Sequence, residues 1–291
     1  ALFEAAKAEP LIAWHAPVEV IERRRDEHGV AAILADGTEL RASLMVAAEG
    51  RRSPTREEAG LAVAQWDYRH RALIAGLAHE KPHEGVAWEI FYPAGPFALL
   101  PMLDGRDGSH RSALVWTVAE KDAAGVLALS ERGFLAEVDK RMQGLFGQVR
   151  LTSPVSSYPL GFQHTARITA QRLALAGDAA HGIHPIAGQG LNLGLRDVGA
   201  LVEVVADGMR LGLDPGDAQV LARYERWRNL DNFTVAAATD GLTHLFGVRG
   251  RTASAIRRLG MAGVQRIPAL KRFFMDEARG MSGDLPELLR A

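Results

Sequence analysis

The sequence predicts a mixed α/β (α+β) fold, in which an antiparallel-sheet domain is inserted into an incomplete Rossmann-like domain and C-terminal helices follow. Three observations lead to this prediction. Two short apolar runs each end in a glycine beside an acid, at Glu49-Gly50 and at Gly177-Asp178. The block between them is rich in strand-like segments separated by turn residues. Beyond Leu191 the apolar residues recur at helical spacing.

The composition is that of a globular protein with room for two domains. The 291 residues are 47% hydrophobic and 24% charged, and the formal net charge of -1 gives no overall field for binding nucleic acid. The chain has no cysteine, which excludes disulfides, thiolate nucleophiles and Cys-ligated zinc. No apolar run approaches the about 20 residues that a membrane-spanning helix needs.

Residues 1–60 are expected to form the first part of the Rossmann-like domain. A helix-forming segment ends at Pro10 and begins without an N-cap residue or an initiator Met, which suggests a fragment. Strand-like runs at residues 18–24 and 30–34, with turns at 27–29 and 36–37, predict a small meander. The meander leads into one buried strand over residues 44–48.

Residues 61–171 are expected to form the inserted domain. Strand-like segments cover residues 71–80, 85–93, 97–103 and 112–120, and one helix is predicted over Glu131–Met142. Residues 172–210 continue the Rossmann-like domain, and residues 211–291 form a C-terminal helical region. In the helix that begins near Leu191, the apolar residues on one face are Leu191, Leu195, Val198, Leu201, Val202 and Val205.

Asp178 is the first candidate binding residue. It lies just past a short apolar strand over residues 172–176, and ligands bind where the carboxyl ends of such buried strands open. Its carboxylate can accept hydrogen bonds from ligand hydroxyls, each worth about 1.5–3 kcal/mol. The alternative, that Asp178 only caps the following turn, stays open.

A helix start follows this acid. Pro185 interrupts regular structure, and the chain then enters the helix through Gly188, Gln189 and Gly190. The free N–H groups of these residues and of Leu191 lie at the positive end of the helix dipole, which favours an anion by about 0.3–2 kcal/mol. Glycines leave no Cβ to obstruct a planar ring. A flavin with a ribityl chain requires both features: an acid that binds the hydroxyls of the chain, and a helix start that binds the delocalised anion of the ring.

Two other interpretations of this segment are weaker. Asp178, His181 and His184 have a spacing of three, but proline and glycine disfavour a regular helical face, so no metal is expected; one histidine should lie near the ligand and the other pack within the loop. The glycines at 188, 190 and 194 resemble a dinucleotide fingerprint. A true fingerprint follows its strand at once, whereas about eleven residues intervene here.

A second motif follows the buried strand over residues 44–48. Ser53 is expected to cap a short helix that has Pro54 at its first position. Arg56, in the first turn, could reach a phosphate or a nicotinamide cofactor. The alternative is that Arg51, Arg52 and Arg56 form a solvated face.

The two motifs resemble those of the flavoprotein aromatic hydroxylases of the p-hydroxybenzoate hydroxylase fold. GDAAHGIHPIAGQGLNLGLRD, residues 177–197, is similar to the GD motif of that family, and EGRRSPTR, residues 49–56, is similar to its DG motif. The segments HEGVAWEIFYPAGPFALLPM, YERWRNLDN and ATDGLTHLF narrow the resemblance to the ubiquinone-biosynthesis hydroxylases. The resemblance covers nearly the whole chain.

The resemblance implies an FAD-binding domain and assigns residues to the cofactor. Asp178 would bind the ribityl chain, and Arg56 completes the cofactor-binding set. The residues that would border the pyrimidine edge of the isoalloxazine are Pro185, Gly188, Gln189, Gly190, Leu191 and Asn192. NAD(P)H would reduce FAD, and one atom of O2 would pass to an electron-rich phenol, a polyprenylated one in ubiquinone biosynthesis. Because the cofactor performs this chemistry, no catalytic side chain is assigned.

The sequence departs from the family pattern in two places. The acid of the DG motif is Glu49 instead of the usual Asp, which extends its reach by one methylene. The family also begins with a strand and a GxGxxG turn, and nothing before Leu11 supplies them. We therefore expect that roughly the first hundred residues of the family pattern are missing and that this chain alone does not bind FAD tightly.

The surroundings of the site allow further expectations. The aromatic and apolar residues that could face a substrate are Trp88, Phe91, Tyr92, Phe97, Leu99, Leu100 and Trp116, and core packing is the default for each. Basic and apolar residues alternate over residues 251–279, a surface that can dock on the protein or a partner, or lie on anionic lipid. A cytoplasmic protein is expected, peripheral to the inner membrane if that surface binds lipid.

Three readings of the function stay open. The first is the aromatic hydroxylase. The second keeps the fold and makes the protein a flavin reductase or halogenase. The third is a flavin-free remnant that acts as a binding or assembly module, which the absent glycine-rich turn motivates.

Overall fold

The computed structural model describes residues 2–92, 94–182, 188–229, 232 and 284–290, with the backbone alone described for Gln189. No helix among these residues is long and apolar enough to cross a bilayer. The basic stretch over residues 251–279 lies outside the described residues, as do His184 and Pro185.

The helices and strands alternate in the mixed α/β manner that the sequence predicts. In chain order they are α1 (Leu2–Ala8), β1 (Val20–Arg25), β2 (Val30–Leu34), β3 (Glu39–Ala42), β4 (Met45–Ala47), α2 (Pro54–Glu58), β5 (Val63–His79), β6 (Trp88–Tyr92), β7 (Gly95–Met102), β8 (His110–Ala119), α3 (Glu120–Leu127), α4 (Glu131–Met142), β9 (Val149–Leu151), β10 (Ser156–Thr165), β11 (Thr169–Ala170), β12 (Leu173–Leu175), β13 (His181–Gly182), α5 (Gln189–Arg210) and α6 (residues 218–229). These elements form three sheets.

The first sheet is the predicted meander. Its strands are antiparallel in the order β1-β2-β3. Asp26 closes the first turn, because its Oδ1 accepts hydrogen bonds from the N–H groups of His28 and Gly29 at 2.7 and 2.9 Å. Gly37, in the second turn, has a φ of +86°, a backbone conformation that favours glycine.

The second sheet contains a parallel pair of short strands. Its order is β11-β12-β4, and β12 runs parallel to β4 with Leu173 opposite Met45 and Leu175 opposite Ala47. Parallel strands need a long crossover, and here the whole inserted block from α2 to β11 provides it. All residues of β12 are buried, and they share a core with Tyr224 of α6.

The third sheet is antiparallel and belongs to the predicted insertion. Its order is β13-β10-β5-β8-β7-β6, and β9 pairs with the end of β5. Helix α4 begins where Ser130 accepts a hydrogen bond from the N–H of Gly133 at 3.2 Å. Its buried side chains, Phe134, Val138 and Met142, share a core with side chains of β7 and β8: Phe97, Leu99 and Trp116. Core packing is therefore confirmed for those three residues, whereas Trp88 and Leu100 are exposed.

Several elements of the inserted block differ from the sequence prediction. Strand β5 begins at Val63, eight residues before the predicted strand over residues 71–80, and β9 was not predicted. The strand expected over residues 112–120 ends at Ala119, and Glu120 begins helix α3. Strand β10 was not predicted, because Pro159 and Gly161 interrupt its apolar pattern and its register with β5 shifts between Leu160 and Gly161. The predicted domain boundaries at residues 60, 171 and 210 stay predictions.

Helix α5 packs on the core with a face other than the one expected. Of the predicted apolar face, Leu201 is buried, whereas the exposed members are Leu191, Leu195, Val198 and Val202. The buried side instead carries Leu193, Ala200 and Val204 together with the charged Arg196 and Asp197. A prediction that counts apolar residues alone misses this face, because small residues and paired charges fill it.

Candidate functional site

The loops that carry the two acids meet at one edge of the second sheet. The N–H of Ala176 donates to the carbonyl oxygen of Ala47 at 3.0 Å, so the carboxyl ends of β12 and β4 lie side by side. Glu49 follows β4 and Asp178 follows β12. This edge is where open parallel sheets bind ligands.

A tight turn follows β12 and lies directly against helix α5. It is a single 3-10 turn over Gly177–Ala179, which we call the cofactor turn, and Gly177 has a φ of +60°. A Cβ added to Gly194 would stand 3.5 Å from the Cα of Gly177. Glycine at both positions therefore allows the two backbones to approach closely.

Asp178 lies in the cofactor turn with its carboxylate facing outward. The side chain is 50% exposed, and its Oδ2 lies 3.5 Å from the Nε of Arg51. Its backbone oxygen accepts a hydrogen bond from the Nε2 of Gln163 on β10 at 3.1 Å. The turn is thus fixed through the backbone, while much of the carboxylate stays accessible to a ligand hydroxyl.

The start of α5 is open on the side of the glycines. Gly188 is the N-cap with a φ of +65°, and a Cβ on Gly188 or Gly190 would have no atom of the described residues within 4 Å. Leu191 is exposed and Asn192 is half-buried. The predicted helix start is confirmed to within two residues. Pro185 lies outside the described residues, and of Gln189 only the backbone is described.

The second motif forms the predicted cap of a short helix. Ser53 is the N-cap of α2, its Oγ accepts from the N–H of Arg56 at 3.0 Å, and Pro54 occupies the first helical position. The Oε1 of Glu49 accepts from the Oγ of Ser53 at 2.6 Å and from the N–H of Thr55 at 2.8 Å. The longer acid of this chain is therefore used to cap α2.

The environment of Glu49 favours its ionised form. Burial alone would raise the pKa of this carboxyl, but the hydrogen bonds from Ser53 and Thr55 and the charge of Arg23 outweigh burial. The pKa of Glu49 consequently lies below its ordinary value.

Arg56 is buried, so the alternative of a solvated arginine face is wrong for this residue. Its side chain is 3% exposed. The Nη1 donates to the carbonyl oxygen of Ala179 at 3.0 Å, and the Nη2 donates to that of Arg51 at 2.9 Å. The guanidinium thus joins the two motifs. The expected contact with a phosphate stays a prediction.

Arg51 joins the same motifs to the third sheet. Its Nη1 donates to the carbonyl oxygen of Gly161 on β10 at 2.9 Å. A Cβ on Gly182 would lie only 2.7 Å from its Nε, so the guanidinium passes directly over the backbone of β13. Together with the pair to Asp178, these contacts place one arginine at the junction of the cofactor turn and the inserted sheet.

A buried polar cluster beneath the cofactor turn was missed by the sequence analysis. We call it the Asp197 cluster; its members are Asp197, His181, Arg228 and Asn232, and all four are buried. The Oδ2 of Asp197 accepts from the Nε2 of His181 at 2.5 Å and from the N–H of Gly177 at 2.9 Å. The Oδ1 accepts from the Nε of Arg228 at 2.8 Å and from the Nδ2 of Asn232 at 3.3 Å.

These donors keep the buried carboxyl of Asp197 ionised. Burial alone would raise its pKa, but the hydrogen bond from His181 and the charges of His181 and Arg228 lower the pKa by more than burial raises it. The pKa of Asp197 therefore lies below its ordinary value. No sequence signal near Asp197 predicts the cluster, because Arg228 and Asn232 lie on a separate, later part of the chain.

The pattern of Asp178, His181 and His184 is not tested, because His184 lies outside the residues that the structure describes. No group of three His, Asp or Glu residues among the described ones is arranged to hold a metal ion. His181 is buried and donates to Asp197, and which of the two histidines lies near the ligand stays a prediction.

An aromatic surface adjoins the site on the third sheet. The ring of Trp66 on β5 stacks on that of Phe162 on β10, with the centroids 3.9 Å apart and the planes 9° from parallel. Phe162 also contacts Leu193 of α5 and the partly buried Tyr68. Trp66 is 43% exposed, so one face of this stack is accessible.

The donor set fits the flavin that the resemblance implies. An outward-facing carboxylate suits ribityl hydroxyls, and unobstructed helix N–H groups suit an anionic ring edge. The space at Gly188 and Gly190, which a Cβ would occupy, suits the close approach of a flat ring.

Comparison with known proteins relates this chain to a family. The family model described as FAD binding domain matches residues 1–232. Ubiquinone hydroxylase UbiL of Rhodospirillum rubrum is 45% identical over 278 residues, which are 94% of this chain and 64% of that protein. The 3-demethoxyubiquinol 3-hydroxylase of Escherichia coli is 31% identical over 281 residues, covering 97% of this chain and 70% of that protein.

A solved structure confirms the fold class. The p-nitrophenol 4-monooxygenase PnpA of Pseudomonas putida matches with a TM-score of 0.77 at 19% identity, over 98% of this chain and 71% of that one. The chain thus spans about two thirds of the length of the proteins it is compared with here.

Proposed function

The chain belongs to the FAD-binding family of the ubiquinone-biosynthesis hydroxylases, and from this membership we propose that its protein hydroxylates an electron-rich aromatic ring using FAD, NAD(P)H and O2. The reaction takes one ring C–H, one O2, one NAD(P)H and one proton to a phenol, water and NAD(P)+. The observation that carries the proposal is that Asp178 lies at the carboxyl edge of a parallel strand pair, and that Gly177 before it packs on Gly194 of α5, the helix whose start is lined by glycines.

The residues of this chain bind and orient the cofactor. Asp178 accepts hydrogen bonds from the ribityl hydroxyls, and the first N–H groups of α5 favour negative charge on the reduced ring. Arg56 and Arg51 hold the two loops in place through backbone carbonyls. The flavin, when bound, supplies the redox chemistry and the activation of oxygen.

The substrate that we propose is a polyprenylated phenol of ubiquinone biosynthesis. The names of UbiL and of the Escherichia coli hydroxylase support this class. The stacked Trp66 and Phe162 support it as well, because an accessible aromatic face beside the site suits a ring or an apolar tail. We propose a cytoplasmic location for the protein, with contact to the inner membrane as the route to such a substrate.

Isotope labelling tests the proposed reaction. The complete protein is purified, its visible spectrum is recorded, and NAD(P)H oxidation is followed with a prenylated phenol under 18O2. We expect a bound flavin, substrate-stimulated NAD(P)H oxidation and one 18O atom in the product.

Other outcomes favour the alternatives. NAD(P)H oxidation that yields only hydrogen peroxide indicates a reductase, and a halogenated product in the presence of halide indicates a halogenase. Absence of flavin from the complete protein, even after incubation with FAD, indicates a binding or assembly module and contradicts the proposal.

A further inference from the structure

The Asp197 cluster is a buried polar group that the proposed function does not use. Side chains from three separate elements meet in this cluster. The carboxylate of Asp197 comes from α5, and its donors His181 and Arg228 come from β13 and α6. A further hydrogen bond to that carboxylate comes from the N–H of Gly177, the residue immediately before Asp178. The cluster therefore touches the cofactor turn itself.

Stability alone is a weak reason for such a cluster. Removing a carboxylate and a guanidinium from water carries a desolvation penalty that often exceeds their attraction, and apolar replacements of similar volume are frequently as stable. What apolar residues cannot do is accept the Gly177 N–H while holding a fixed direction. Described residues donate four hydrogen bonds to the two oxygens of Asp197, and these bonds hold its carboxylate in place.

Helix α6 delivers its residues to this point through regular spacing. Tyr224 and Arg228 are four residues apart on α6, which puts them on one helical face, and Asn232 follows Arg228 by the same number of residues. The hydroxyl of Tyr224 donates to the carbonyl oxygen of Leu175 at 2.7 Å, and this bond fixes the helix on the end of β12. Arg228 then lies one turn further on, where it reaches Asp197. The segment YERWRNLDN, which carried part of the family resemblance without a role, thereby acquires one.

We propose that the Asp197 cluster is a positioning unit for the cofactor, in which Asp197 holds the N–H of Gly177 and so directs Asp178 toward the ligand. This inference rests on the proposed function, since it assumes that Asp178 binds FAD. His181 and Arg228 act through Asp197 and are positioning residues. They contribute to affinity by limiting the conformations of the cofactor turn before the ligand arrives.

The substitution Asp197→Asn tests this inference directly. The asparagine side chain has an NH2 donor in place of one carboxylate oxygen. This NH2 would face some of the four donors that surround residue 197, and it cannot accept their hydrogen bonds. In the complete protein we expect the FAD Kd to rise at least about tenfold, a change of about 1.4 kcal/mol. In the apo-protein we expect faster amide hydrogen exchange over residues 176–182, measured by mass spectrometry.

A second pair of variants keeps the test decisive if Asp197→Asn does not fold. His181→Phe removes the donor, whereas His181→Gln returns an N–H to nearly the same place. We expect weaker FAD binding and faster exchange for His181→Phe, and recovery of both toward wild type for His181→Gln.

Glu225→Gln is the matched control. Glu225 also lies on α6, and its Oε2 accepts from the N–H groups of Ile168 and Thr169 and from the Oγ1 of Thr169 at 2.8–3.0 Å, away from the cofactor turn. We expect this variant to lower the melting temperature without changing the FAD Kd or the exchange at residues 176–182.

Two results overturn the inference. One is an unchanged FAD Kd together with unchanged exchange in folded cluster variants, and the other is a loss of stability alone, as in the control. If the wild-type protein binds no FAD, the proposed function fails, and the exchange measurement still decides whether the cluster fixes the turn.

Discussion

At the scale of single residues, the site is shaped by charged side chains that bind backbone groups. Arg56 donates to carbonyl oxygens of both motifs, Arg51 donates to β10, and Glu49 accepts from the start of α2. Hydrogen bonds to charged groups are stronger than those between neutral groups. Each of these side chains therefore fixes the path of a loop, and the loops in turn present Asp178.

The buried Arg56 gives the first prediction. Arg56→Met keeps an apolar stem of similar length but leaves the carbonyl oxygens of Ala179 and Arg51 without their donors. We expect the free energy of unfolding to fall by about 2–4 kcal/mol, since each unsatisfied buried acceptor costs about 1–3 kcal/mol. Urea denaturation measures the change. Arg52→Met is the control, because Arg52 is exposed and its loss should stay within about 0.5 kcal/mol; equal effects of both variants would refute the assigned role of Arg56.

The lowered pKa of Glu49 gives a pH-dependent prediction. A carboxyl whose pKa is lower in the folded state stabilises the fold in its ionised form, so the contribution is complete above the unfolded pKa of about 4.3 and disappears as the pH falls through the folded pKa. Glu49→Gln should therefore be less stable than wild type at pH 7, and the difference should shrink below about pH 4.3. Urea denaturation across this range checks it, and a difference independent of pH would count against the capping role.

At the scale of secondary-structure elements, the start of α5 carries the flavin hypothesis. Gly190→Ala adds a Cβ that has no atom within 4 Å in the part of the chain that the structure describes, so the apo-protein should lose no stability. A bound ring would occupy that space, and we expect the FAD Kd to rise about tenfold, the lower end of an overpacking cost of about 1–3 kcal/mol. The measurement is a fluorescence titration of the apo-protein with FAD.

Gly125→Ala is the matched control for this variant. Gly125 is a helical glycine on α3 with equally open space around it, so alanine there should stabilise the protein by up to about 1 kcal/mol and leave FAD binding unchanged. An FAD Kd that Gly190→Ala does not alter would show that the ring lies elsewhere.

The elements differ in how far the sequence predicts them. The strand over residues 30–34 and helix α4 have clear apolar periods between strong turn or cap residues, and the structure confirms both. Strand β10 lacks such a period because of Pro159 and Gly161. Of the predicted apolar face of α5, only Leu201 and Val205 pack on the core, because small residues and paired charges occupy most of the helix side that faces it. The Asp197 cluster escaped prediction since it joins residues 16 and 31 positions from Asp197, which no local pattern relates.

At the scale of the whole molecule, the long crossover between β4 and β12 explains the site. Because these strands are parallel neighbours, the entire inserted sheet must leave and return between them, and its strands β10 and β13 come back beside the cofactor turn. Arg51 and Gln163 connect that sheet to the two loops. The arrangement places the aromatic stack of the inserted sheet next to the residues proposed to bind the flavin.

The central claim is that Asp178 and the open start of α5 hold a flavin, and FAD titration of the complete protein carrying Asp178→Ala tests it most directly. Loss of one charge-assisted hydrogen bond, worth about 1.5–3 kcal/mol, should raise the FAD Kd by about 10–150-fold. Asp122→Ala, at an exposed acid in the first turn of α3, should leave it unchanged. Equal FAD affinity of the Asp178 variant and the wild type would contradict the account.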